Sequence, residues 1–317
     1  MERPDRPPAA SWGHNYREEW SPDQLAAVTV DRARRLGWDF VKFQPRATCF
    51  AEAFGAQWEP SGSTRKGPVL VRAPVENLAA WKDLPEVDAR VPPLADQVEA
   101  IAEVAGELGP DVPVIQTVFS PLTVAGYLVG KNKRRAVREL RAHPEVVGPA
   151  LDRIATALID FSRASVAAGA AGIFFAISGY ASADSLPQEV YEELVLPHDL
   201  RVLEALPTQA WFNVLHLCGS NLNFDLARKL PAQAISWSVH NQGNPSLSEG
   251  RERTGRAVMG GVGQRTPLLG DAARKVEQEV RAAVADTGGR GLLVAPGCSV
   301  PPWARDAGLK AVVEAAA

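Results

Sequence analysis

Histidine and cysteine are scarce in this chain. Cysteine stands only at positions 49, 218 and 298, and five histidines are spread along the sequence. The sharpest grouping is Val214-Leu215-His216-Leu217-Cys218-Gly219. In an extended segment residues two apart share a face, so His216 and Cys218 would present a nitrogen and a sulfur side by side. A second segment, Leu292-Leu293-Val294-Ala295-Pro296-Gly297-Cys298, ends an apolar run in a Pro-Gly turn that carries Cys298. A His, Cys, Cys ligand set suits zinc and leaves the open position that catalytic zinc requires. Zinc would hold both cysteines as thiolates. A thiol arriving at the open position would lose its proton and become a better nucleophile near neutral pH. The alternative reading is that the cysteines are plain buried residues and the histidine a hydrogen-bonded one.

Distant ligands need a scaffold that brings strand ends together. Short apolar, β-branched runs predict strands at 9–14, 39–44, 112–119, 171–177, 210–217, 233–238, 256–261 and 291–295. Helical periodicity separates nearly all of them, at 23–36, 94–108, 147–168, 186–206, 270–286 and 304–316. Ser21-Pro22 and Thr266-Pro267 read as helix entries, and Gly169 as a helix stop. Strands alternating with helices in this way predict an α/β fold: a (β/α)8 TIM barrel, one domain over residues 1–317. His216, Cys218 and Cys298 would then lie at the C-terminal ends of strands, on the face where barrels place their chemistry. An open doubly wound sheet is the runner-up, but no Gly-x-Gly-x-x-Gly follows the first strand and no phosphate-binding loop is present. Gly260-Gly261-Val262-Gly263 reads as a strand end that turns. Residues 45–93 read as a hairpin over one end of the barrel, and 120–146 as a second long connection.

Other residues fall near the expected mouth. His14 ends the first expected strand and His240 follows the sixth; both are candidate catalytic groups, His240 as substrate orienter or acid. Lys42 and Arg46 flank the end of the second strand as candidate cations for a substrate carboxylate or phosphate. Tyr180 and Trp237 complete the candidate substrate-binding set. Asp39 begins its strand and so belongs to the opposite, stability face. Cys49 reads as a buried thiol, Gln116 as a satisfied polar core residue, and His143 and His198 as structural or exposed.

Composition bounds the partners. The formal net charge is −3 with 22% charged residues, without the basic excess of a duplex-binding surface. Lys131-Asn132-Lys133-Arg134-Arg135 reads as a solvated loop or helix start. No apolar run is long enough to span a membrane, and Met1 to Pro8 carries no apolar signal core. The expectation is therefore a cytoplasmic protein that binds neither nucleic acid nor membrane. Three cysteines are too few, and odd in number, for a disulfide framework.

Several segments, taken in order, resemble the uroporphyrinogen decarboxylase superfamily along almost the whole chain. They are Ser120-Pro121-Leu122-Thr123, Ala168-Gly169-Ala170, Tyr191-Glu192-Glu193-Leu194-Val195-Leu196-Pro197, His216-Leu217-Cys218-Gly219, Met259-Gly260-Gly261-Val262 and Pro296-Gly297-Cys298-Ser299-Val300-Pro301-Pro302. The resemblance implies a (β/α)8 barrel. One branch of the superfamily removes carboxylates from a tetrapyrrole without metal; the other comprises zinc methyltransferases that move a methyl group from a corrinoid protein to a thiol such as coenzyme M. His216, Cys218 and Cys298 match the second branch, whereas the first carries a histidine at the place of Cys298. The first branch also carries an arginine-rich early loop, and here that stretch reads Ser11-Trp12-Gly13-His14-Asn15-Tyr16-Arg17. The resemblance thus implies zinc as cofactor, a methylcobalamin-type corrinoid as donor, free or on a partner protein, and a small thiol as acceptor. A homodimer is open to such a chain. A carboxy-lyase and a non-catalytic corrinoid- or tetrapyrrole-binding barrel are the alternatives.

Overall fold

The structure, a computed structural model, describes residues 6–268 and 270–317. The first five residues of the stretch read for an export signal lie outside it, as does Leu269 within the expected domain. Nine strands form among the described residues: β1 Val41–Phe43, β2 Gln57–Glu59, β3 Val69–Arg72, β4 Val114–Phe119, β5 Gly172–Ile177, β6 Val214–Leu217, β7 Ala234–Ser236, β8 Ala257–Val262 and β9 Leu292–Pro296. Seven make one parallel sheet in the order β1-β4-β5-β6-β7-β8-β9. The architecture is α/β and TIM-barrel-like. β4 and β5 are buried along their whole length, as parallel strands covered on both faces must be, and their near-continuous apolar sequences follow from that.

The first expected strand, 9–14, is not one. Its contacts are single parallel bridges, Ala9 with Val294 and Gly13 with Val300. The two bridges are four residues apart on one side and six on the other, so no continuous ladder forms between them. The segment nonetheless touches both edges of the sheet: Ala10 N–H donates to Val294 O at 3.1 Å, and Asp39 N–H donates to Ala9 O at 3.0 Å. Asp39 also takes a paired hydrogen bond from Arg6 at 2.7 and 2.8 Å, at the end of the sheet where β1 begins.

The helices Pro22–Leu36, Pro92–Leu108, Pro144–Ala167, Ala272–Thr287 and Asp306–Glu314 stand where the periodicity put them. The 186–206 pattern is two helices, Gln188–Leu194 and Leu196–Glu204. Pro197 has no N–H to continue the first, and the chain breaks at Val195. Ser21 caps the first helix ahead of Pro22, and Gly37 ends it at φ 67°, a left-handed conformation open to glycine. β2 and β3 pair as an antiparallel hairpin inside the 45–93 connection. Thr266-Pro267 opens a short 3-10 turn.

Candidate metal centre

β6 is extended, so His216 and Cys218 do share a face. The register sets His216 opposite Ala176 of β5 and Ser236 of β7. Cys298 arrives from the turn after β9, whose Gly297 N–H donates to Val262 O at 2.8 Å. The result is a compact group: one ligand atom from each of His216, Cys218 and Cys298 lies within 4.8 Å of the others. The two sulfurs stand 3.9 Å apart. Two sulfurs bound to one tetrahedral zinc at about 2.3 Å would be about 3.8 Å apart, so the spacing fits a shared ion without backbone movement. It also excludes a disulfide as placed, since that bond needs about 2.05 Å.

The groups around the ligands fix their chemistry. His216 Nδ1 lies 3.1 Å from Ser236 Oγ, which leaves Nε2 for a metal. The His216 ring stacks on Phe174 with centroids 5.0 Å apart. The Cys218 S–H donates toward Cys298, and this bond, helped by His216 and the Ser299 N–H, holds the Cys298 thiol well below its ordinary range. Cys218 is pushed up in return, first by that bond and then by burial. Cys298 is therefore the sulfur that ionises first when no metal is bound.

Of the other expected site residues, Lys42 and His14 converge on this group. Lys42 is buried, with its ammonium 4.8 Å from the Phe174 ring centroid and 5.8 Å from that of Trp12. Burial pulls it down to about 7 against the opposing influence of Cys298. It donates to Gln44 Oε1; Ser299 Oγ donates to the same oxygen at 3.2 Å, and Gln44 Nε2 lies 3.3 Å from His14 Nε2. His14 Nδ1 sits 2.9 Å from Glu19 Oε2, and the Glu19 side chain is fully buried. A continuous polar chain thus runs from Glu19 through His14 and Gln44 to the residue beside Cys298.

The remaining expected residues are engaged elsewhere. Arg46 donates from Nε and Nη2 to Glu52 at 2.6 to 3.2 Å, from Nη1 to Glu19 O at 2.8 Å, and lies over Trp20. Tyr180 is buried against Gly126, under the Lys133 ammonium at 5.0 Å. Trp237 points away from Ser236 and Ser238 in the strand alternation; it donates to Pro245 O at 2.9 Å and packs on Phe224. His240 Nε2 lies 3.0 Å from Gly261 O and lines a separate cavity of about 440 Å³ with Glu279 and Lys275. Cys49 is buried at the start of a short helix, and burial pushes its thiol up. Gln116 Nε2 reaches Gln97 O at 3.4 Å, while its Oε1 has no partner among the described residues. His198 pairs with Asp152 at 3.0 Å, and His143 with Glu145 at 3.5 Å.

Ser236, Phe174, Gln44 and Ser299 were not singled out from sequence. Ser236-Trp237-Ser238 carried the signal, small hydroxyls alternating with a large apolar ring, and so did Gln44 two residues on from Lys42. Lys133 also escaped notice within its basic run. Its ammonium bonds Gly179 O, and Gly179 packs against the Cys218 carbonyl and Gly219.

The family model described as uroporphyrinogen decarboxylase (URO-D) matches residues 16–317. The chain is 27% identical over 301 residues to a methylcobamide:CoM methyltransferase, MtaA, of Methanosarcina barkeri, covering 93% of this chain and 84% of that one. It is also 27% identical over 297 residues to a uroporphyrinogen decarboxylase of Citrifermentans bemidjiense, covering 89% and 80%. A solved methyltransferase from Methanosarcina mazei superposes with a TM-score of 0.84 at 23% identity, over 99% of this chain and 94% of that one, a likeness of fold. No described helix is long and apolar enough to cross a membrane.

Proposed function

Because this chain belongs to the uroporphyrinogen decarboxylase (URO-D) family, we propose that it is a zinc-dependent methyltransferase that moves a methyl group from a methylcobalamin-type corrinoid to a small thiol. The observation that carries the reading is the closeness of the His216, Cys218 and Cys298 ligand atoms, with sulfurs 3.9 Å apart. These three residues would hold the ion. Bound there, zinc supplies a Lewis acid that lowers the pKa of an incoming thiol. The barrel mouth aligns the thiol sulfur with the methyl carbon. In such a transfer a lone pair of the acceptor thiolate would form the new sulfur–carbon bond, and the corrinoid would keep the electron pair of the bond it gives up. His14, linked to Glu19, is suited to take the proton the thiol gives up. Lys42 is suited to an acidic group on the acceptor, since its ammonium is buried with one side-chain acceptor. In this reading the segment through Ala9 and Gly13 is the eighth stave, so the sheet closes as a (β/α)8 barrel in one domain. The protein works in the cytoplasm with a corrinoid, free or protein-bound, as a monomer or homodimer.

Relatives of similar identity are decarboxylases, so a carboxy-lyase is the competing activity. Arg46 speaks against it, because its guanidinium is already matched by Glu52 and is not free to grip a polycarboxylate. Metal analysis separates the two. The expected result is about one zinc per chain, lost in Cys218→Ser and in Cys298→Ser. Wild-type protein purified without chelator under reducing conditions, yet free of metal, would sink the proposal. Methylcobalamin demethylation with a panel of thiols then tests the transfer. If the protein binds zinc but transfers no methyl to any thiol, the activity claim fails and the metal claim stands.

A further inference from the structure

β7 ends on a serine in register with His216, and a second serine stands just beyond it. Ser236 faces His216 and bonds its Nδ1 at 3.1 Å. Ser238 follows two residues on, just past the last paired residue of the strand. Three contacts hold it between the cysteine-bearing turns. Asn244 Nδ2 donates to both Ser238 O and Gly219 O, at 2.8 and 2.9 Å, which straps the β7 end to the residue after Cys218. Asn241 Nδ2 adds a second bond to Gly219 O at 3.0 Å. On the other side Gly297 packs directly on Ser238: a methyl at Gly297 would lie 2.5 Å from Ser238 Cα and 2.8 Å from its Oγ. Ser238 is 3% exposed, and its Oγ has no hydrogen-bond partner among the described residues.

A buried hydroxyl without a partner is destabilising. Buried hydroxyls persist where a partner forms in the working state. Here the two neighbouring sulfurs lie 3.9 Å apart. Bound to one metal, both would be thiolates, which take hydrogen-bond donors. We propose that Ser238 is the outer-sphere donor to a cysteine thiolate of the metal-loaded centre, as Ser236 is the partner of His216. By taking charge density from that sulfur, Ser238 makes the metal a stronger Lewis acid. It is a positioning residue and not itself a ligand. This inference rests on the metal-binding part of the proposed function, not on methyl transfer.

The test is Ser238→Ala, loaded with cobalt(II) in place of zinc and compared with wild type. Removing the donor leaves a more electron-rich thiolate, so the sulfur-to-cobalt charge-transfer band should move to lower energy. Zinc affinity, measured by competition with a chromophoric chelator, should weaken by about 10–100-fold, with about one metal still bound per chain at saturation. Ser236→Ala is the comparison: it should weaken affinity without moving the sulfur band. An unshifted band with unchanged affinity in Ser238→Ala would overturn the inference while leaving the metal site intact. Complete loss of metal from a folded Ser238→Ala protein would overturn it as well, because Ser238 would then be a ligand. Failure of wild type to bind either metal would be a failure of the proposed function itself.

Discussion

Ser236 Oγ lies 3.1 Å from His216 Nδ1 across the β6–β7 register, and this contact decides which ring nitrogen faces the two cysteines. A histidine has two inequivalent nitrogens, and a partner on one assigns the other. Phe174, stacked on the same ring at 5.0 Å, removes the remaining rotational freedom. The imidazole is thus fixed in orientation and in plane before any metal arrives, which lowers the ordering cost of binding.

Ser236→Ala should therefore keep the fold and lose metal affinity. Outer-sphere partners of this kind contribute about 10–100-fold to affinity. Zinc competition titrations on the variant, alongside a thermal melt, check both halves. An affinity equal to wild type would show that Phe174 alone orients the ring.

Much of this centre was legible in the sequence, for identifiable reasons. His216 and Cys218 were readable because an extended strand has a period of two. Cys298 was readable because a Pro-Gly turn after an apolar run marks a strand end, and parallel strands bring such ends together. Seven of the eight expected strands stand close to their predicted positions. The remaining one, 9–14, failed because apolar composition does not reveal that its bridges to Val294 and Val300 are out of step. Trp237 was placed at the mouth from proximity along the chain, yet the alternation that puts Ser236 inward turns Trp237 outward onto Phe224. Arg46 shows a different limit: only packing could show that Glu52, six residues later, binds its guanidinium.

That ion pair yields a stability prediction. The Arg46 and Glu52 side chains are 5% and 11% exposed, so deleting one partner strands the other in a dry setting. Glu52→Ala should destabilise the protein by about 3–5 kcal/mol. Arg46→Met combined with Glu52→Leu should recover much of the loss, since no unpaired charge remains. Urea unfolding of the single and double variants decides it; equal losses in both would mean that packing, not charge, is the cause.

Asp199 should give the protein a pH-dependent stability. Burial pushes its carboxyl up to about 7, with the Tyr191 hydroxyl bond opposing. The folded value lies above the unfolded one, near 3.8. Below about pH 4 both states hold the proton; between about pH 4 and 7 only the folded state holds it. Stability from this group is then highest at low pH and falls by about 1.4 kcal/mol per unit as pH rises, becoming flat above about 7. Asp199→Asn removes that slope. The difference between wild-type and variant urea midpoints across this range measures it. A difference independent of pH would show that Asp199 ionises normally in the fold.

Gly297 tests how tightly the third ligand is held. A methyl group there would meet Ser238 Cα at 2.5 Å and Cβ at 2.6 Å. Backbone cannot rotate away as a side chain can, so the turn carrying Cys298 must shift. Gly297→Ala should cost about 1–3 kcal/mol, as overpacking does, and should widen the sulfur pair beyond what one ion can bridge. Zinc content should fall well below one per chain even when the variant is folded at room temperature. Gly106→Ala is the control: nothing lies within 4 Å of its added methyl, and alanine in the Pro92–Leu108 helix should stabilise by about 0.5–1 kcal/mol with zinc content unchanged. If Gly297→Ala retained full zinc occupancy, the turn would be compliant, and Cys298 would be held by the metal and not by its packing on Ser238.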